Sequence, residues 1–148
     1  MFAALPNGTV IALNDTSNSR LQVIHNSADP AASTVDVYVN GGLLLDDFAF
    51  RAATPYINVP SDVVLNIGIA PGNSSSVNDT IVNIPVTLMN GSTYVAIASG
   101  VLNPASFAAN PDAVPTGFQL ILSDGMRETA NNAGEVDFRV LHGATDAP

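Results

Sequence analysis

Two histidines, His25 and His142, are each followed four residues later by an aspartate, Asp29 and Asp146. A His-x-x-x-Asp pair can contribute two metal ligands, or a general base oriented by a carboxylate. Two ligands alone do not make a site. Each pair sits inside a longer match, LQVIHNSAD over 21–29 and FRVLHGATD over 138–146, with Val, His and Asp in register 117 residues apart. Recurrence at the end of a strand-like run favours architecture over chemistry. On that reading His25, Asp29, His142 and Asp146 bond backbone groups in the turn leaving the strand, as aspartate commonly does.

Other residues with chemical potential are weaker candidates. Asp46 and Asp47, with Asp36 on the adjoining run, could gather oxygen ligands for calcium, but no Asp-rich loop of EF-hand spacing is present. They are expected to be solvated carboxylates at strand ends. Ser74, Ser75 and Ser76 lack a nucleophile elbow and have no histidine near them in sequence. Tyr38, Tyr56 and Tyr94 could form an aromatic platform for a sugar. The preferred reading makes them ordinary strand residues, Tyr38 and Tyr56 on exposed faces and Tyr94 at a sheet margin. The chain has no cysteine and no lysine, and its only glutamates are Glu128 and Glu135. An enzyme has little to work with here. No catalytic residue, cofactor or metal is expected.

Composition narrows the class. The 148 residues suffice for one single-core domain plus tails. Charged residues make up 11%, against about 25% in an average soluble protein, so Asn, Ser, Thr and Gly must cover much of the surface. Mean hydropathy is positive, yet no apolar run approaches the roughly 20 residues that span a bilayer as a helix. The only cations are Arg20, Arg51, Arg127 and Arg139, and the net charge is −9. Nucleic acid is therefore not an expected partner, because phosphate binding needs a positive footprint. The missing lysines also remove a common guard of exposed strand edges. Asn-x-Ser/Thr sequons at Asn7, Asn14, Asn73, Asn78 and Asn90 are more frequent than composition predicts, and mark candidate sites for covalent glycans. The segment Met1 to Pro6 lacks the basic start and long apolar stretch of a signal peptide, so the chain is read as a mature product or as starting at an arbitrary point.

Period-two alternation predicts strands. Val35, Val37 and Val39 alternate up to Asn40-Gly41-Gly42, a hairpin turn, and Leu43 to Phe50 returns with an interruption at Asp46-Asp47. Tyr56 to Val59 is a short strand between Pro55 and Pro60. Val63, Leu65, Ile67 and Ile69 give another alternating face, closed by Pro71-Gly72. Asn73 to Asp79 reads as an exposed loop. Val82, Ile84, Val86 and Leu88 follow, with Pro85 pointing that strand to an edge or a bulge. Asn90-Gly91 turns into Thr93 to Ser99. Three prolines break the pattern from Gly100 to Gly117, an irregular crossover with room for one turn near Pro104, and Phe118 to Leu122 is the last strand of the unit. The spacing is that of an all-β, immunoglobulin-like antiparallel β-sandwich with extra terminal strands.

A weaker match links TVIALND (9–15) to FQLILSD (118–124), each followed by a polar linker and a His-containing run. The expected organisation is an N-terminal strand and linker over 1–19, a complete sandwich over 20–122, a linker over 123–134, and the first strand of a following repeat over 135–148. The N-terminal piece is then the last strand of a preceding unit or a strand for donation.

The stretch VIHNSADPAASTVDVYVNGG (23–42) resembles the opening of the bacterial domain-of-unknown-function family 4397, which runs loosely Val-x-His-x-Ser/Ala-x-Asp-x-Pro, then Val-Asp-Val-Tyr-Val and an Asp/Asn-Gly turn. His25, Ser27, Asp29, Val35, Asp36, Val37, Tyr38, Val39, Asn40 and Gly41 match, with a longer spacing between Asp29 and Val35 than is usual. YINVP and VVLNIGIAPG are similar to later family strands, and the opening motif recurs at His142, Ala144, Asp146 and Pro148. The resemblance implies an extracellular or cell-surface β-sandwich, often in tandem copies, without an established activity.

Two functions fit. The first is a structural subunit of an extracellular filament, in which copies of the chain assemble head to tail by strand complementation. Its candidate donors are Val10, Ile11, Ala12 and Leu13, or Val136, Phe138, Val140 and Leu141. The second is a non-catalytic adhesion or carbohydrate-binding module cut from a tandem-repeat protein, with function in its loops.

Overall fold

In the computed structural model, residues 2–4, 10–12 and 17–143 are described. Strands β1 (Phe2–Ala4) and β2 (Val10–Ala12) pair with each other as an antiparallel two-stranded hairpin. Eight further strands build two four-stranded sheets. They are β3 (Asn18–His25), β4 (Thr34–Val39), β5 (Gly42–Ala49), β6 (Ile57–Pro60), β7 (Val64–Pro71), β8 (Val82–Thr87), β9 (Thr93–Ser99) and β10 (Gln119–Ser123). Helical structure among the described residues is limited to three 3-10 turns, at Pro30–Ala32, Val77–Asp79 and Pro104–Ser106.

The first sheet runs β10-β9-β3-β6 and the second β5-β4-β7-β8. All pairs are antiparallel except β3 with β9, which are parallel from Arg20↔Thr93 to His25↔Ala98. A parallel pair needs a long connection, and here most of the sandwich separates the two strands. The β4–β5 turn places Asn40 at φ 50 and Gly41 at φ 85, the left-handed geometry that two-residue hairpins favour and that Asn-Gly adopts at low cost. Pro85 lies in β8, an edge strand where its missing N–H breaks no ladder on one side. At Asp46-Asp47 the hairpin bends without ending: β5 runs on to Ala49, with Asp47 at φ 50 and register shifts against β4.

The sheets close on one another through apolar side chains. Leu21 of β3, Val59 of β6, and Tyr94 and Ala96 of β9 meet Leu65 of β7 and Leu88 beyond β8. Toward the other side Val35, Val37, Ile67 and Ile69 pack with Leu45, Phe48, Phe118 and Leu120. Burying each such aliphatic or aromatic side chain stabilises the fold by about 1.5–3 kcal/mol. The crossover over 100–117 is pinned where Val101 bridges Gly117 in parallel. Gly100 there has φ +82, and a Cβ on it would lie 2.2 Å from the Gly117 carbonyl oxygen. Only glycine fits that approach.

Residues 135–143, expected to form a strand, have no ladder. A strand is held by hydrogen-bonded neighbours on its edges, and none of the described strands pairs with this segment.

Candidate functional sites: a buried histidine corner and an unpaired copy of it

The first His-x-x-x-Asp copy ends β3 inside the sandwich. His25 is 1% exposed. Its Nε2–H donates to the Ala32 carbonyl oxygen at 2.7 Å, and the Ser27 N–H points at Nδ1 from 3.4 Å. That arrangement is the neutral Nε2–H tautomer, and burial pushes the imidazole below its ordinary value near 6.5, against the Ala32 carbonyl bond. Phe48 and Phe50 flank the ring with centroids 5.9 and 6.1 Å away. Asp29 Oδ1 accepts the Ala31 N–H and starts the 3-10 turn, with Pro30 at a position that needs no donor. Asp29 Oδ2 accepts the Leu102 N–H, and Ser27 Oγ donates to the Gly100 carbonyl oxygen. His25, Ser27 and Asp29 thus tie β3, the turn after it and the 100–117 crossover into one corner. Their bonds run to backbone groups. Among the described residues no cluster of three or more His, Asp or Glu could hold a metal ion.

The second copy is exposed. Aligned on the histidines, Val136, Phe138, Val140 and His142 correspond to Ser19, Leu21, Val23 and His25. In β3 that set turns inward: Ser19, Leu21 and His25 are buried and Val23 packs on the core. Val136, Phe138 and Val140 are instead 83%, 85% and 82% exposed. His142 is exposed as well, and Asp146 lies outside the described residues. The segment is carried over the outer face of the first sheet, where Gln22, Ile24, Tyr56, Val95 and Ile97 line a groove of about 480 Å³ beneath it. Arg127 of the linker pairs with Asp137 of the segment at 2.9 Å. The linker is also tied to the sheet by a bidentate Arg20–Glu128 pair at 2.6 and 2.9 Å and by the Met126 N–H on the Thr93 carbonyl oxygen. Exposed ion pairs of this kind contribute little, about 0–1 kcal/mol each.

Two sequence expectations are corrected. Asp36 is not a solvated strand-end carboxylate: it is 1% exposed. The Asn73 to Asp79 loop folds back over the outer face of β4. Ser74 Oγ donates to Asp36 Oδ2 at 2.5 Å, the Asp47 N–H donates to Oδ1, and Tyr38 Oη shares Ser74 Oγ at 2.8 Å. Burial acts to raise the Asp36 carboxyl, but the bonds from Ser74 and Asp47 outweigh it and hold it below its ordinary value. Tyr38 is likewise buried rather than exposed. With Tyr94 in the core, its Oη accepting the Met89 N–H, only Tyr56 reaches the groove and no three-tyrosine platform exists. The 73–79 loop itself is ordered by a capping box of Ser76 and Asp79 around a 3-10 turn.

Of the sequons, Asn73, Asn78 and Asn90 are exposed at turns, while Asn7 and Asn14 lie outside the described residues, as does Leu13. No helix among the described residues is long and apolar enough to cross a membrane.

Two sheets packed face to face, with histidine and aspartate locking the corner after the first core strand, define an all-β sandwich domain. The match to a family model runs over residues 19–148 and takes in both copies of the motif. The chain belongs to the DUF4397 family, a domain of unknown function. No curated protein matches it.

Proposed function

We propose that the chain is a structural subunit of an extracellular or cell-surface filament, in which copies join head to tail by lending a strand to one another. The observation that carries this reading is the row Val136, Phe138 and Val140. These are three large apolar side chains at period two, each more than four-fifths exposed, in a segment whose backbone pairs with no strand among the described residues. Such a segment is suited to strand addition, where main-chain bonds give affinity and alternate side chains give specificity. Of the two candidate donors, Val10–Ala12 is already paired with Phe2–Ala4. The C-terminal segment is therefore the donor. A contact between unlike surfaces that repeats without closing makes an open filament. Glycans on Asn73, Asn78 and Asn90 would decorate exposed turns.

A second reading is favoured by the recurrence of the 21–29 motif at 138–146: the segment opens the next sandwich of a tandem surface protein, and joining is covalent. Light scattering and electron microscopy of the 148-residue chain separate the two. Filaments that disappear on deleting residues 135–148 and persist on deleting residues 1–13 support the proposal. Monomers at all concentrations would sink it in favour of the tandem module.

A further inference from the structure

Four strands end the two sheets, and three are guarded in ways that blunt edge pairing. β8 carries Pro85. β6 is four residues long and closes on Pro60. β5 bears Asp46 and Asp47 and breaks register against β4. β10, Gln-Leu-Ile-Leu-Ser, has neither proline nor charge, and it pairs with β9 in five consecutive register positions. No backbone hydrogen bond among the described residues leaves its other side.

The same edge borders an apolar cavity. Phe118 and Leu120 share a cluster with Leu45 and Phe48 of β5, so β10 and β5 flank one mouth of the core. An apolar cavity of about 40 Å³ is lined there by Leu44, Phe48, Phe118 and Leu120, among others. Leu44, which lines it, is exposed, and so is Leu122 of β10. Leu122 lies two residues from Leu120, on the same face of the strand.

We infer that β10 is the acceptor edge, and that residues 136–141 of a second copy add beside it as a fifth strand. Val136, Phe138 and Val140 then turn toward Leu122 and Leu44 and close the mouth. Six donor residues span roughly 20 Å, enough to cover the five residues of β10. This inference rests on the head-to-tail reading above and adds where the donor lands.

The absence of cysteine makes a clean cross-linking test possible. Copies carrying Leu122→Cys are mixed with copies carrying Val140→Cys and oxidised, and assembly is followed for Leu122→Lys and, as a control, Val64→Lys at an exposed position on β7. Leu122 and Val64 are both exposed, so neither lysine is expected to unfold the chain, which thermal melts verify. Disulfides joining the two kinds of copy, with the assembly concentration raised tenfold or more by Leu122→Lys and unchanged by Val64→Lys, support the inference. Filaments unaffected by Leu122→Lys would overturn it and leave head-to-tail joining intact. A wild-type chain that forms no filaments would overturn both. A Leu122→Cys/Val140→Cys double variant that links only within single chains would show that the segment folds onto its own β10, and would overturn the second copy as occupant.

Discussion

Leu21–His25 and Phe138–His142 share one apolar alternation, with Val and His in register, and meet opposite fates. The first is a central strand with β6 on one side and β9 on the other, and its histidine is sealed from solvent. The second holds the same apolar alternation in open solvent. The pattern supplies a face to bury but supplies neither the ladder nor the opposing sheet. What distinguishes the copies is what lies beside them, which is why the second copy reads as a strand waiting for neighbours.

The sharpest way to break that comparison is to truncate both histidines. His25→Ala removes a ring packed between Phe48 and Phe50 and leaves the Ala32 carbonyl unpaired. The expected loss is about 3–5 kcal/mol in urea unfolding. His142→Ala should change stability by less than about 0.5 kcal/mol. Equal effects would mean that the second copy is as well housed as the first. A smaller effect tests the anchor of the first copy. Gly100→Ala forces a Cβ into the Gly117 carbonyl at a positive φ, loosening the strand of backbone that receives Ser27. The expected cost is about 1–3 kcal/mol, with the exposed 136–141 segment unchanged in protease sensitivity.

Acid should separate the copies too. The folded-state pKa of His25 lies below its ordinary value near 6.5, so below that pH the unfolded chain binds the proton that the folded chain resists. His25's contribution is fully present above about pH 6.5 and declines as pH falls toward the depressed folded value. Asp36, held below its ordinary 3.8 in the fold, adds a further loss as pH drops through that lower range. Urea midpoints that begin to fall as the pH drops below about 6.5 in the wild-type chain, and do not in His25→Gln, would assign the first step to this ring.

Much of this was legible because it is local. Asn40-Gly41 names its own turn, Pro85 names an edge, and Leu65, Ile67 and Ile69 name a buried face. Asp36 and Tyr38 were misjudged for a non-local reason. Alternation with Val35, Val37 and Val39 assigns them to the other face of β4, and that face would be wet had the 73–79 loop not folded over it. The acceptance of Ser74 by Asp36 across 38 residues leaves no periodic trace. The parallel pairing of β3 with β9 is equally silent, since it depends on how five intervening strands return. The histidine corner could be read as architectural from its repetition, but its partners Ala32, Gly100 and Leu102 could not be named from the spacing.

The central claim is that the second copy becomes a strand only between copies of the chain. Hydrogen–deuterium exchange of the amides of residues 136–142, followed across a range of protein concentrations, tests it most directly. The account predicts fast exchange in dilute monomer and strong protection, by a hundredfold or more (about 2.7 kcal/mol), once copies assemble. Fast exchange at every concentration, with assembled material present, would contradict it.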